Sequence, residues 1–141
     1  MPRRILVPFD GSESAREALE YAIELFPDGE FVALTVVDTS AVPFIPNTAS
    51  PETNDELRAM LREADEELGI AERLADDADV DLEPLTRIGS PAQEIVDCTE
   101  SESIDHVVMG SHGRSGVTRI LLGSVAEVVV RHSSAPVTVV R

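Results

Sequence analysis

Short apolar runs alternate with stretches of helical periodicity along this chain, and few architectures accommodate that alternation. Ile5, Leu6, Val7, Pro8 and Phe9 form one continuous run, as a strand buried on both faces requires. Ala15, Ala18, Leu19, Ala22, Ile23 and Phe26 then recur at spacings that fall on one face of a helix. Residues 31–37 make a second strand, and Leu57, Met60, Leu61, Ala64, Leu68, Ala71, Leu74 and Ala78 a long second helical face. Residues 80–88, 106–109 and Val137–Val140 supply three further strands, with helices opening near Ser90-Pro91 and Ser124 and the latter running through Val130. Strands that alternate with amphipathic helices imply a parallel sheet covered on both faces. The expected fold is therefore α/β: one three-layer α/β/α sandwich over residues 1–141, with five parallel strands.

Local signals sharpen the boundaries. Ser14 with Glu17, Ser90 with Gln93, and Ser124 with Glu127 all stand at capping-box spacing, and Pro91 follows Ser90 at the first helical position. Pro27-Asp28-Gly29 stops the first helix. Pro84 removes a ladder donor, which assigns the third strand to an edge. Residues 39–53, with Pro43, Pro46 and Pro51, form a connection of a length that is usually functional or mobile. The acidic stretch from residue 55 to 81 reads as a solvated helix face.

Charge excludes several functions. The chain has 27 acidic residues against 11 basic ones, a net charge of -16, and every basic residue is Arg. Such a surface repels nucleic-acid phosphates and anionic membranes. It also repels itself, unless salt shortens the screening length to about 3 Å near 1 M. The balance is similar to that of cytosolic proteins of salt-loving archaea, with a merely acidic mesophile protein as the alternative. The single cysteine, Cys98, rules out an intramolecular disulfide and sits in a helical pattern as a small hydrophobe. The N-terminal run over residues 5–9 is too short for a signal peptide core, and no apolar run approaches membrane-spanning length. A soluble, cytoplasmic protein is expected.

Open α/β sheets bind ligands beyond the carboxyl ends of their strands, where the winding direction reverses. Pro8, Asp10, Gly11 and Ser12 follow the first strand, and Val37 and Asp38 end the second. The fourth strand leads into Gly110-Ser111-His112-Gly113-Arg114-Ser115-Gly116, and four of the eight glycines fall between Gly110 and Gly123. Glycines allow a ligand to approach the backbone, and amides exposed in such a loop form an anion-binding concavity. A helix starting near Gly123-Ser124 aims its N–H groups and positive dipole end at the same place, with Arg114 and Arg119 as cationic partners. Phosphate oxygens are the natural occupant. The plainer reading, a tight strand-to-helix connection, is disfavoured because hydroxyls and arginines join the glycines at a strand's carboxyl end.

The spacing Gly110-x2-Gly113-x9-Gly123-Ser124 resembles the ATP-binding motif of the universal stress protein family. Residues 5–12, Met109-Gly110-Ser111-His112-Gly113-Arg114 and the ending Ser134-Ala135-Pro136-Val137 are similar to the family's first strand, fourth-strand exit and last strand. The resemblance covers essentially the whole chain. It implies the strand order 3-2-1-4-5 of adenine nucleotide alpha hydrolase-like folds. It also implies that Pro8 lines a nucleoside pocket, that Asp10 meets the ribose or the phosphate–metal region, and that Val36 binds adenine through its backbone. Met109 and Gly110 would cover base and sugar, and Gly113, Gly123, Ser124 and Val125 would cradle the phosphates. ATP, with ADP or AMP as alternatives and with magnesium as companion, is the implied ligand. Pairing of Val137–Val140 with a second copy, as an uncovered apolar edge invites, is the implied homodimer.

Other readings fail on residues. Without Lys there is neither a P-loop nor a receiver-type phosphorylation site, and no G-x-G-x-x-G follows the first strand. His106 and His132 lack the spacing of a metal cluster, read as surface or interface residues, and His112 reads as a solvated loop histidine. No catalytic residue is assigned. A nucleotide-dependent stress regulator acting on an unidentified protein partner stands against two alternatives. One is a slow ATP hydrolase on the same site, and the other a dimeric scaffold that binds no nucleotide.

Overall fold

The computed structural model describes residues 2–39, 54–111 and 122–141. Nine elements follow in the order β1 (Arg4–Pro8), α1 (Glu13–Leu25), β2 (Glu30–Val37), α2 (Asp55–Asp77), β3 (Asp81–Ile88), α3 (Pro91–Ser101), β4 (His106–Gly110), α4 (Ser124–His132) and β5 (Val137–Val140). The strands are all parallel and lie in the order β3-β2-β1-β4-β5. Right-handed crossovers on either side of β1 must then put α1 and α2 on one face and α3 and α4 on the other. Pro84 does sit on an edge strand, where it pairs in register with Ala33 of β2.

The strand side chains alternate between two cores, which is why the central strands read as unbroken apolar runs. Ile5, Val7, Phe31, Ala33 and Val108 pack with Ala18, Leu19 and Ala22 of α1 and with Leu68 and Ala71 of α2. Leu6, Val32, Leu34, Val107 and Met109 pack with Ile95 and Cys98 of α3 and with Ala126 and Val129 of α4. Each fully buried Val, Leu, Ile or Phe contributes about 1.5–3 kcal/mol relative to exposure, so small aliphatic side chains suffice without tryptophan. Cys98 is one of these buried hydrophobes, and burial pushes its thiol pKa up, keeping it protonated.

Three helix starts differ from the capping boxes expected. The N-cap of α1 is Ser12, not Ser14, and its hydroxyl accepts a hydrogen bond from the Ala15 N–H at 3.1 Å. Ser90 does cap α3 with Pro91 behind it, but no side chain closes a box, and Gln93 instead donates to Asp97 at 2.8 Å. Gly123 caps α4, which places Ser124 inside the helix and extends its end to His132. At α1 and α4 the expected serine stands two residues and one residue from the place where the backbone turns.

At the amino ends of the strands, charged side chains tie the elements together. The Arg4 N–H donates to the Asp105 carboxylate, and the Asp105 N–H donates back to the Arg4 carbonyl, both at 2.8 Å. The Arg4 guanidinium stands 3.6 Å from Glu30, Glu83 and Glu102, and its Nε donates to the Glu102 carbonyl. His106, read as a surface residue, is half-buried against the Phe26 ring, with a ring nitrogen 2.7 Å from the Thr138 hydroxyl. No helix among the described residues is long and apolar enough to cross a membrane.

Candidate functional site

A parallel sheet whose strand order reverses must part its strands at the reversal. The β1–β4 ladder is registered only at Ile5–His106 and Leu6–Val107, near the amino ends. Beyond it a cleft of about 680 Å³ opens over the carboxyl ends of β1, β2 and β4. Pro8, Asp10, Val36, Met109, Gly110, Gly123, Ser124 and Val125, all singled out in the sequence, line this one cleft. Gly113 and Arg114, with the rest of 112–121, lie outside the described residues, as does 40–53 of the long connection.

Specific hydrogen bonds hold the floor. The Phe9 N–H donates to the Leu34 carbonyl at 2.8 Å, and the buried Thr35 hydroxyl donates back to the Phe9 carbonyl at 2.7 Å. These fix the end of β1 against β2. Asp10 accepts from the Ser12 N–H at 2.9 Å, closing a turn in which Gly11 has φ of +78°. Asp10 thus shapes the turn while Ser12 caps the helix, and its carboxylate still lines the cleft.

On the other side, the Ser111 N–H donates to the Val140 carbonyl at 3.0 Å, and the Gly123 N–H donates to the Ser111 carbonyl at 2.8 Å. The chain therefore leaves β4 and re-enters at α4 at the same point on the sheet. Gly123 is buried and has no side chain to occupy the first-turn N–H groups of α4, which begins at the cleft. Among the described residues no side chain caps α4, and a helix N-terminus left so offers N–H donors and a partial positive charge suited to an anion. Gly110 has a different reason. A Cβ there would overlap the Ser14 hydroxyl, so this glycine lets β4 pack tightly on α1.

The sequence reading missed one wall. Met60, Glu63, Ala64 and Glu67 of α2 line the cleft at helical spacing, although the acidic helix read as solvated. The Glu67 stem lies over the turn after β1, where a Cβ on Gly11 would approach its Cγ to 3.1 Å. Pro91 and Ile95 of α3 close the opposite, apolar side. The signal for α2 was present in the i, i+3, i+4, i+7 stripe of residues 60, 63, 64 and 67, which adjoins the buried stripe Leu57, Ala64, Leu68 and Ala71. Among the described residues, no group of three or more His, Cys, Asp or Glu is placed to hold a metal ion.

Comparison with known proteins agrees with this architecture. The model of the universal stress protein family matches residues 1–141. A universal stress protein of Methanocaldococcus jannaschii is 38% identical over 141 residues, covering 99% of this chain and 82% of that one. The solved structure of a second protein from that organism superposes with a TM-score of 0.84 at 31% identity, over 99% of this chain and 96% of the other. Two more distant structures share the fold. One is an Arabidopsis thaliana family protein with AMP bound, at 21% identity and TM-score 0.72, covering 99% and 91% of the two chains. The other is a universal stress protein in complex with cAMP, at 24% identity and TM-score 0.67, covering 99% and 97%.

Proposed function

The chain belongs to the universal stress protein family, and from that premise we propose that its cleft binds an adenine nucleotide, ATP in the first instance, and that occupancy regulates a protein partner in the stress response. The observation that carries this reading is the convergence of two unlike surfaces in one cleft. Apolar side chains of Pro8, Val36, Met109 and Ile95 offer a base and sugar a dry wall, and the glycine-capped start of α4 offers phosphate oxygens a row of N–H donors. A volume of about 680 Å³ is that of a small-molecule site. Proteins of this fold with AMP and with cAMP bound lend the same ligand class support.

In this reading Val36 presents its backbone to the adenine, Asp10 its carboxylate to the ribose, and Gly123, Ser124 and Val125 their N–H groups to the phosphates. Gly113 and Arg114 belong to the same phosphate-binding assignment. Because the described residues supply no metal cage, magnesium would arrive with the phosphates and keep most of its water. The protein acts in the cytoplasm, where its acidic surface suits a salty interior. A second copy pairs along β5, an edge strand of which all four residues are half-buried. Removing residues 137–141 should then leave monomers or aggregates in light scattering, and an intact dimer would refute this pairing.

Calorimetric titration with Mg-ATP at about 1 M KCl, where self-repulsion is screened, tests the central reading. Micromolar binding that Mg-GTP does not reproduce is expected. Absence of heat and of competition by any nucleotide would reduce the cleft to architecture and leave the dimeric scaffold. Phosphate release measured on the same samples separates a sensor from a slow hydrolase.

A further inference from the structure

The ligand proposed above is an anion, and the molecule around it is strongly anionic. Asp10, Asp38, Glu63 and Glu67 all line the cleft, and no Arg or His is among the described residues that do. Two of the four are built in from α2: the Glu67 stem packs over the Gly11 turn, and Glu63 stands one turn before it on the same helix face. These carboxylates have partners within the chain. Local pairing leaves the total unchanged, because the net charge of -16 already counts all eleven arginines.

The attraction that α4 exerts on a phosphate acts at hydrogen-bond range and survives salt. The repulsion from the whole molecule is long-ranged and does not, since the screening length falls from about 10 Å at 0.1 M to about 3 Å at 1 M. Most sites for phosphorylated ligands are ringed by Lys and Arg, and salt weakens them. Here Arg114, assigned to the phosphates above, acts at contact range like α4, whereas the net repulsion from the whole molecule is long-ranged and is the part that salt screens most.

Resting on the adenine-nucleotide reading, we propose that ionic strength sets which phosphorylation state the cleft accepts. At low salt the site favours adenosine and AMP. As salt rises it admits ADP and then ATP, so that its occupancy couples adenylate state to intracellular salt. Glu63 and Glu67 are the local part of this selector, and the remaining surface charge is the global part.

The test titrates adenosine, AMP, ADP and ATP without divalent cations at about 0.1 M and about 2 M KCl, with circular dichroism confirming the folded state. Coulomb repulsion under screening gives a gain with salt, relative to adenosine, of about five-fold per unit of ligand charge, and hence a graded series. Should the chain unfold at the lower salt, the range from about 0.5 M to 3 M carries the same ordering with smaller steps. Glu63→Gln combined with Glu67→Gln should raise the ATP-to-adenosine affinity ratio at the lower salt and raise it by less at the higher. A ratio that is flat or falls with salt, while adenosine and ATP both bind, overturns the selector and leaves the nucleotide reading standing. Failure of all four ligands to bind at either salt overturns that reading, and the selector with it.

Discussion

The two ends of the sheet are built from different materials. At the amino ends, Arg4 binds Asp105 through the backbone and spans Glu30, Glu83 and Glu102 with its guanidinium, while His106 fills the corner between Phe26 and Thr138. At the carboxyl ends the β1–β4 ladder has already finished, a glycine starts α4, and a cleft takes the place of packed side chains. The difference follows from topology. Every crossover helix of a parallel sheet begins at the carboxyl edge, so that edge collects helix N-termini, and where the winding reverses no connection covers them. One end can therefore be closed for stability while the other is left open for a ligand.

The largest expected effect breaks the open end alone. Gly123→Val puts a branched side chain where the N–H groups of α4 face the cleft. Nucleotide affinity should fall by about 100-fold or more, near 2.7 kcal/mol. The backbone there, at φ −63° and ψ 155°, accepts valine, so the melting temperature should shift by only a few degrees. Unchanged affinity in calorimetry would place the phosphates elsewhere.

Gly110→Ala separates two roles of glycine at the same edge. Because its Cβ would overlap the Ser14 hydroxyl, the substitution should cost about 1–3 kcal/mol of stability as overpacking between β4 and α1. Adding Ser14→Gly should recover part of that loss in denaturant unfolding. Full stability of Gly110→Ala alone would show that this glycine serves only ligand approach.

How much of this was legible beforehand divides along the same line. Strand positions, the edge placement of β3 and the turn residues and glycines at the cleft follow from apolar runs, Pro84 and the glycine spacing, all of which are properties of short windows, whereas Val36, Met109 and Val125 are implied only by the family resemblance. The caps of α1 and α4 lie two residues and one residue from the serines expected, because Ser12 and Ser14 have the same chemistry and only the turn geometry at Gly11 selects between them, whereas Ser90 caps α3 as expected. Glu63 and Glu67 were read as solvent-facing, because a stripe beside the core stripe becomes a cleft wall only once α2 is docked. The Arg4 cluster joins residues up to 101 positions apart, and nothing local announces it.

Two smaller effects belong to the closed end. Arg4→Ala should destabilise by about 1–2 kcal/mol at low salt and less at molar salt, since the partners are partly exposed and screened. Nucleotide affinity should not change, and a loss of binding in a folded variant would couple the two ends. The smallest effect is that of His106. Burial first, and the Arg3 charge second, hold its pKa below the ordinary histidine value. The unfolded chain therefore takes the proton more readily, so the stability contributed by the neutral ring is complete above about pH 6.5 and declines as the pH falls below it. His106→Gln should flatten that part of the pH–stability profile, and an unaltered slope would assign the decline to other groups.

The most direct measurement of the central claim, that the open end is the nucleotide site, is amide chemical-shift mapping as ATP is added at molar salt. Shifts should concentrate at Asp10 and Ser12, at Thr35 to Asp38, at Gly110 and Ser111, and at Gly123 to Ala126, with Arg4, Glu30 and His106 unmoved. Saturable shifts centred on the Arg4 end, or none at either end, would contradict it.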